Sequence, residues 1–241
     1  MGGGIVPNRD RDPLTGRDDR VAGMRVSGTV PAWVSAPPPS EPSPPKPLAP
    51  SRPSDPEPAT LSPLAVEGRD RFKRGLLVHR LLQSLPELPE PERDSAAEAF
   101  LALPVHALTQ EEQDEIRAET MAVLTDPDLA DLWGPASQAE VPVVGLIPGN
   151  TPDASRALSG QIDRVVVTPE RVLVVDFKTV RPVPTCEEEV PRLYLQQLAI
   201  YRAALARIYR DRPVDCALLW TDGPVLMPIS PALLDKNSPL V

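Results

Sequence analysis

The sequence predicts a mixed α/β domain behind a proline-rich lead-in, and three observations carry that prediction. Apolar residues recur at helical spacing both near the start and near the end of the last two-thirds of the chain. Between those stretches lie short β-branched runs separated by turn residues. Thirteen of the 33 prolines fall between Pro31 and Pro63, so proline marks one segment rather than the whole chain. About 180 residues remain, enough for one domain with its own core.

Taken in order, residues 1–66 show no periodic apolar pattern. Ala36 to Ser62 alternates Pro, Ser, Ala and isolated charges, which reads as an extended linker of polyproline II character. From Arg69 the spacing of Phe72, Leu76, Leu77, Leu81, Leu82 and Leu85 predicts an amphipathic helix ending at Pro86. Further helices are expected at 91–103, at 109–124 with Thr109 and Glu112 as a capping box, and at 127–133. Strands are expected at Glu140–Ile147, Gly160–Thr168 and Arg171–Lys178. A long helix at 191–209, a strand at Asp215–Trp220 and a helical turn near 231–235 follow. Helices, a three-strand meander, a helix and a further strand make a mixed sheet flanked by helices.

Composition excludes several classes. No run of 18 apolar residues exists, so no membrane helix is expected, and the start Met-Gly-Gly-Gly lacks a secretory pattern; the expected compartment is the cytoplasm. Cys186 and Cys216 offer neither a disulfide framework nor a four-thiolate metal site. There is no Gly-x-x-x-x-Gly-Lys-Ser/Thr loop, so no ATPase activity is expected of this chain, and no Gly-x-Ser-x-Gly elbow. The net charge is −9, and residues 1–60 carry seven basic and seven acidic side chains, so all of it lies in residues 61–241. So acidic a domain attracts nucleic acid poorly by electrostatics alone.

Chemistry concentrates in Gly160-Gln161-Ile162-Asp163-Arg164 and Val175-Asp176-Phe177-Lys178-Thr179. Thr168-Pro169-Glu170-Arg171 between them is turn chemistry. A hairpin centred between Pro169 and Glu170 pairs residues whose numbers sum to 339, which sets Asp163 opposite Asp176 with Cβ atoms ~5 Å apart. Lys178 projects to the same face as Asp176. Two opposed carboxylates need a cation between them, which Lys178 and a divalent ion would supply; the alternative is an ordinary cross-strand Asp–Lys pair on a surface hairpin. The Val-Leu-Val-Val run before Asp176 is apolar on both faces, as a central covered strand is. His79 sits on the inward face of its helix beside Leu76, Val78 and Leu82, either as a core histidine or as a third ligand. Glu140 opens the first strand, either as an acid that supports the site from outside its ligands or as the ordinary acid of a strand start. Tyr194, Gln197 and Tyr201 form one helical stripe, aromatic like a core but interrupted by an amide that needs partners.

Gly75-Leu-Leu-Val-His79, Gly160-Gln-Ile-Asp163-Arg, Val175-Asp176-Phe-Lys178-Thr and Tyr194-Leu-Gln-Gln197-Leu-Ala-Ile-Tyr201, in this order over residues 66–235, resemble the PD-(D/E)XK nuclease superfamily. More narrowly they look like the RecB-type nuclease domain at the C-terminus of AddA, a bacterial recombination helicase–nuclease subunit of alphaproteobacterial type. The resemblance implies a restriction-endonuclease-like core in residues 67–241, with a helical N-terminal part. It implies His79, Asp163, Asp176 and the Phe177 carbonyl as ligands of Mg²⁺, for which Mn²⁺ substitutes. Lys178 orients or helps deprotonate the attacking water, and Gln197, Tyr201 and Tyr194 support the site and its contact with DNA. The implied activity is single-stranded DNA end cleavage in double-strand break repair. The implied partners are an AddB-like subunit and a helicase motor, whose feeding of the strand answers the objection from acidity. The chain would then be a truncated, split or excised C-terminal portion. A non-catalytic docking module and a stand-alone structure-specific endonuclease are the alternatives.

Overall fold

A computed structural model describes residues 49–50, 66–147 and 156–239. Chain contacts divide the protein between Ser43 and Pro44. The first unit, and with it most of the expected linker, lies outside the described residues; the second carries everything below.

Ten regular elements are described. Three helices come first: α1 (Val66–Ser84), α2 (Glu90–Leu101) and α3 (Gln110–Thr125). Three strands follow, β1 (Ser137–Ile147), β2 (Arg156–Val167) and β3 (Val172–Lys178). Then come α4 (Arg192–Ile208), β4 (Val214–Trp220), β5 (Val225–Ile229) and α5 (Pro231–Asn237). The capping box predicted for α3 is present, with Thr109 Oγ1 accepting from Glu112 N and the Glu112 carboxylate accepting from Thr109 N. The expected helix at 127–133 is a 3-10 helix, Pro127–Trp133, whose entry Asp126 caps by accepting from Asp128 N.

The sheet order is β1-β2-β3-β4-β5, with β3 in the middle and parallel only to β4. α4 is therefore the crossover from β3 to β4, the connection a parallel pair requires. The expected sum of 339 holds at every pair between β2 and β3, from Val167↔Val172 to Arg164↔Val175. Each sheet face has its own core. Val172, Val174, Cys216 and Leu218 pack with Leu198, Ile200 and Tyr201 of α4. Val175, Phe177 and Leu219 pack with Leu77, Val78, Leu81 and Leu82 of α1 and Ile116 and Val123 of α3. Burial on both faces explains why β3 is apolar without alternation.

Two expectations need correction. β5 was not foreseen: it is short, lies at the sheet edge and contains Pro228, a residue that strands tolerate at edges and that weakens the strand signal. The apolar face of α1 is also narrower than its spacing suggests. Leu77, Val78, Leu81, Leu82 and Leu85 are buried, while Phe72 and Leu76 are 68% and 56% exposed. Successive helical residues are about 100° apart, so Leu76 faces away from its buried neighbour Leu77, and Phe72 shares the face of Leu76. Of the proline-rich segment, Pro50 is buried, and a Cβ placed on Gly160 would come within 2.7 Å of its ring and 3.2 Å of Tyr201 Cε1. Gly160 thus leaves the room that the Pro50 ring occupies.

Candidate metal centre

The site begins where β2 loses its regularity. Leu158 and Ile162 belong to the α4-side core, yet Arg164 reaches the opposite layer and Val166 packs in the α1-side core. Residues of one parity cannot face both ways along a regular strand, so the alternation resets at Asp163. β1 pairs with β2 at Ala139↔Arg164 and Val141↔Ile162 but not between them, where Glu140 adopts φ 51°. On the other side the ladder with β3 stops at Arg164↔Val175. Asp163 stands at both breaks, and its Oδ2 accepts a hydrogen bond from Phe177 N at 2.7 Å. The side chain replaces the missing ladder bond, which satisfies a buried donor and fixes the carboxylate in the split.

Arg164 secures the same corner. Its guanidinium, 2% exposed, donates from Nη2 to Leu82 O at 2.9 Å and from Nη1 to Ser137 Oγ at 3.1 Å, and lies 4.7 Å from the Trp133 ring centroid. Leu82 is in the last turn of α1, so Arg164 satisfies a helix-end carbonyl and ties α1 to β2. That tie brings His79 Nδ1 to 3.5 Å from Asp163 Oδ1. The His79 ring meets the Phe177 ring edge-on at 5.7 Å.

Donor atoms of His79, Glu140 and Asp163 all lie within 4.8 Å of one another. Sequence reasoning left Glu140 outside the ligand set because an acid opening a strand is unremarkable; its left-handed backbone, which aims it at Asp163, leaves no trace in residue type. Burial alone would raise the Asp163 carboxyl, but the hydrogen bond and charge of His79 and the Phe177 N–H outweigh it and hold the group low. His79 is raised: burial opposes protonation, and Asp163 and then Asp176 override it. Glu140 is raised by burial and by the charge of Asp163.

Asp176 and Lys178 stand on the α4 side. Asp176, 2% exposed, is ion-paired with Lys178 Nζ, and burial pushes its carboxyl up to about 6 despite that partner. Lys178 is raised because Asp176 outweighs its own burial. Its Nζ also donates to Gln197 Oε1 at 3.2 Å and lies 4.1 Å from the Tyr194 ring centroid. Tyr201 donates from its hydroxyl to Gln161 O at 2.5 Å, pinning α4 to β2. The expected stripe therefore divides: Tyr194 and Gln197 hold the lysine, while Tyr201 holds the strand. Phe177 contributes its N–H to Asp163 and its ring to the α1-side core. Asp176 is outside the His79–Glu140–Asp163 trio, and the two groups meet across the end of the β2–β3 ladder.

Carboxylate oxygens converging this closely are the donors that Mg²⁺ and Mn²⁺ accept, so Glu140 and Asp163 fit such an ion, with the His79 nitrogen as a further donor beside them. Cys216 is buried with its thiol pushed up to about 12, and Cys186 is exposed and away from these ligands. Among the described residues no helix is long and apolar enough to cross a membrane.

Comparison with known proteins adds three findings. A family model described as the PD-(D/E)XK nuclease superfamily matches residues 59–227. Among solved structures, the chain is similar to one titled "Crystal structure of SSO0001", at 12% identity over 70% of this chain and 82% of that one, with a TM-score of 0.30. Comparison with curated proteins gave no match.

Proposed function

The chain belongs to the PD-(D/E)XK nuclease superfamily, and on that premise we propose that it is a metal-dependent deoxyribonuclease acting on single-stranded DNA ends. The observation that carries this reading is the convergence of His79, Glu140 and Asp163 beside the buried Asp176–Lys178 pair. His79, Asp163 and Asp176 would hold Mg²⁺ or Mn²⁺, with Glu140 added to the expected set and the Phe177 carbonyl retained in it. Such an ion supplies a hydroxide nucleophile at neutral pH and relief of charge on the phosphorus oxygens.

The protein's own residues do the rest. Lys178, kept charged by Asp176, favours the orienting role: it holds the attacking water and a phosphate oxygen rather than removing a proton. Gln197 and Tyr194 limit where its ammonium can go. Asp163, fixed by Phe177 N, sets the position of the scissile phosphate relative to β3. In-line attack by water then breaks the P–O bond to the leaving sugar oxygen.

The four ordered motifs support the narrower reading, a nuclease domain of AddA type in residues 67–241. It would work in double-strand break repair in the cytoplasm, at the nucleoid, with an AddB-like subunit and a helicase motor as partners. An acidic domain that is handed its strand by a motor has no need to capture DNA by charge.

The test is a titration of Mg²⁺ and Mn²⁺ against a labelled single-stranded oligonucleotide, comparing the wild-type chain with Lys178→Ala and Asp176→Ala. Metal-dependent degradation should fall about a hundred- to a thousandfold in both variants, the scale of losing an electrostatic stabiliser. Retained cleavage in both rejects the assignment, and cutting of covalently closed circles replaces end cleavage with an endonuclease.

A further inference from the structure

We propose that the face of α1 carrying the exposed Phe72 and Leu76 is the platform on which unpaired bases of the substrate strand stack as it approaches the metal centre. This rests on the nuclease reading above and adds to it a binding surface with a stated ligand chemistry.

Phe72, Leu76 and His79 stand at i, i+4 and i+7, so they share one face of α1 within about 60° of arc. His79 ends that stripe at Asp163, whereas Phe72 and Leu76 are left 68% and 56% exposed. The loop leaving Lys178 runs alongside. A Cβ on Gly75 would meet Thr179 Oγ1 at 3.0 Å, Arg74 Nη1 donates to Thr179 O at 3.3 Å, and the next residue, Val180, is 50% exposed. One apolar strip therefore leads from solvent to the ligands, bordered by the strand end that carries Asp176 and Lys178. A stripe of large apolar side chains in water is costly, and a contiguous one marks an interaction surface.

Charge identifies the occupant. Residues 66–80 carry five basic side chains, Arg69, Arg71, Lys73, Arg74 and Arg80, against Glu67 and Asp70, within a protein of net charge −9. Arg74 is committed to Glu119. Lys73 and Arg80 remain beside the stripe, Lys73 held by Ala107 O at 3.1 Å and Arg80 exposed. Cations interleaved with an exposed aromatic are the pattern that tracks a single strand: phosphates meet the cations while bases lie on the ring. Among the described residues, the exposed pair Leu103 and Val105 lies between α2 and α3, where residues 102–109 hold no lysine or arginine. The exposed pair Val144 and Leu146 sits on β1, whose eleven residues include no lysine or arginine and no aromatic. It lacks both halves of that pattern. A base-paired duplex keeps its bases stacked on each other and leaves none for Phe72, so the platform selects unpaired DNA.

The experiment uses the full chain carrying Lys178→Ala, so that bound DNA survives, and measures binding of a short labelled oligothymidylate by anisotropy. Phe72→Ala should weaken binding about five- to hundredfold, the range spanned by one lost stacked base. Phe72→Leu keeps an apolar side chain without a π face and should lose nearly as much, while Phe72→Trp should bind at least as tightly as the parent. An abasic oligonucleotide of equal length, with the same phosphates and no bases, should bind all variants alike. Phe72→Leu binding like the parent, or equal losses on the abasic strand, overturns the proposal and makes the strip a protein-docking surface. Cleavage assays of the otherwise wild-type chain separate the two levels. An active enzyme indifferent to Phe72 overturns the stacking platform alone, whereas a chain inactive with any metal overturns the nuclease reading and the platform with it.

Discussion

The two aspartates of the centre come from adjacent strands, one residue beyond the last pair of the same ladder, and their surroundings push them in opposite directions. Asp163 sits where β2 breaks step with both neighbours, mostly buried, with a histidine and a backbone N–H to stabilise its charge. Asp176 sits in a regular central strand, fully buried, with Lys178 as its cation. The first is held ionised and the second is raised to about 6. An irregular backbone supplies donors to a carboxylate, whereas a regular ladder has already used its N–H groups and leaves only a side chain to help.

The largest expected effect comes from removing the carboxylate at the break. Asp163→Ala should abolish measurable metal binding and destabilise the chain by about 1–3 kcal/mol, because Phe177 N is left buried without an acceptor. Asp163→Asn keeps an oxygen for that N–H and should recover most of the stability while binding metal at least about tenfold more weakly. Urea unfolding and calorimetric Mn²⁺ titration separate the two; equal stability of both variants would deny Asp163 its backbone role.

Smaller, and opposite in sign for the two residues, is the response to pH. Asp176 binds its proton more tightly folded than unfolded, so metal-free stability contributed at low pH falls away as pH rises from about 4 to about 6. Asp163, depressed, contributes stability above its unfolded pKa and loses it as pH falls through its folded one. Metal must displace the proton from Asp176 and, because His79 is raised above its ordinary value, from His79 too, so apparent Mn²⁺ affinity should drop roughly a hundredfold per pH unit below 6. In Asp176→Asn the inflection at 6 should vanish. An inflection that survives the substitution assigns it to another group.

The smallest effect tests the strain that aims Glu140. Glycine adopts φ 51° freely, so Glu140→Gly should stabilise the metal-free chain by about 0.5–1 kcal/mol while weakening metal binding. Glu140→Ala should weaken metal binding without that gain. A Glu140→Gly chain that binds Mn²⁺ as tightly as the parent removes Glu140 from the ligand set.

Much of this centre is legible before any fold is known. A turn signal and two β-branched runs give the 339 register, and the register brings Asp163, Asp176 and Lys178 to one strand end. Helical spacing places Tyr194, Gln197 and Tyr201 on one side of α4, and the lysine bears out the partner that the amide needed. These depend on neighbours in sequence, where residue type and period carry the information. Which face of α1 meets the sheet is not of that kind: Phe72, Leu76 and Leu77 read alike, and only the way the helix is turned against the core leaves the first two in water.

Residue order alone determined the mixed α/β class, the central strand, the hairpin register and the four motifs, because each follows from local propensity or from a period of 2 or 3.6 residues. Tertiary structure decided the rest. The parity reset at Asp163, the left-handed Glu140 and the Arg164 tie to Leu82 all arise where separate elements compete for the same backbone groups. That competition has no sequence period, yet it turns two carboxylates and a histidine into one donor cluster.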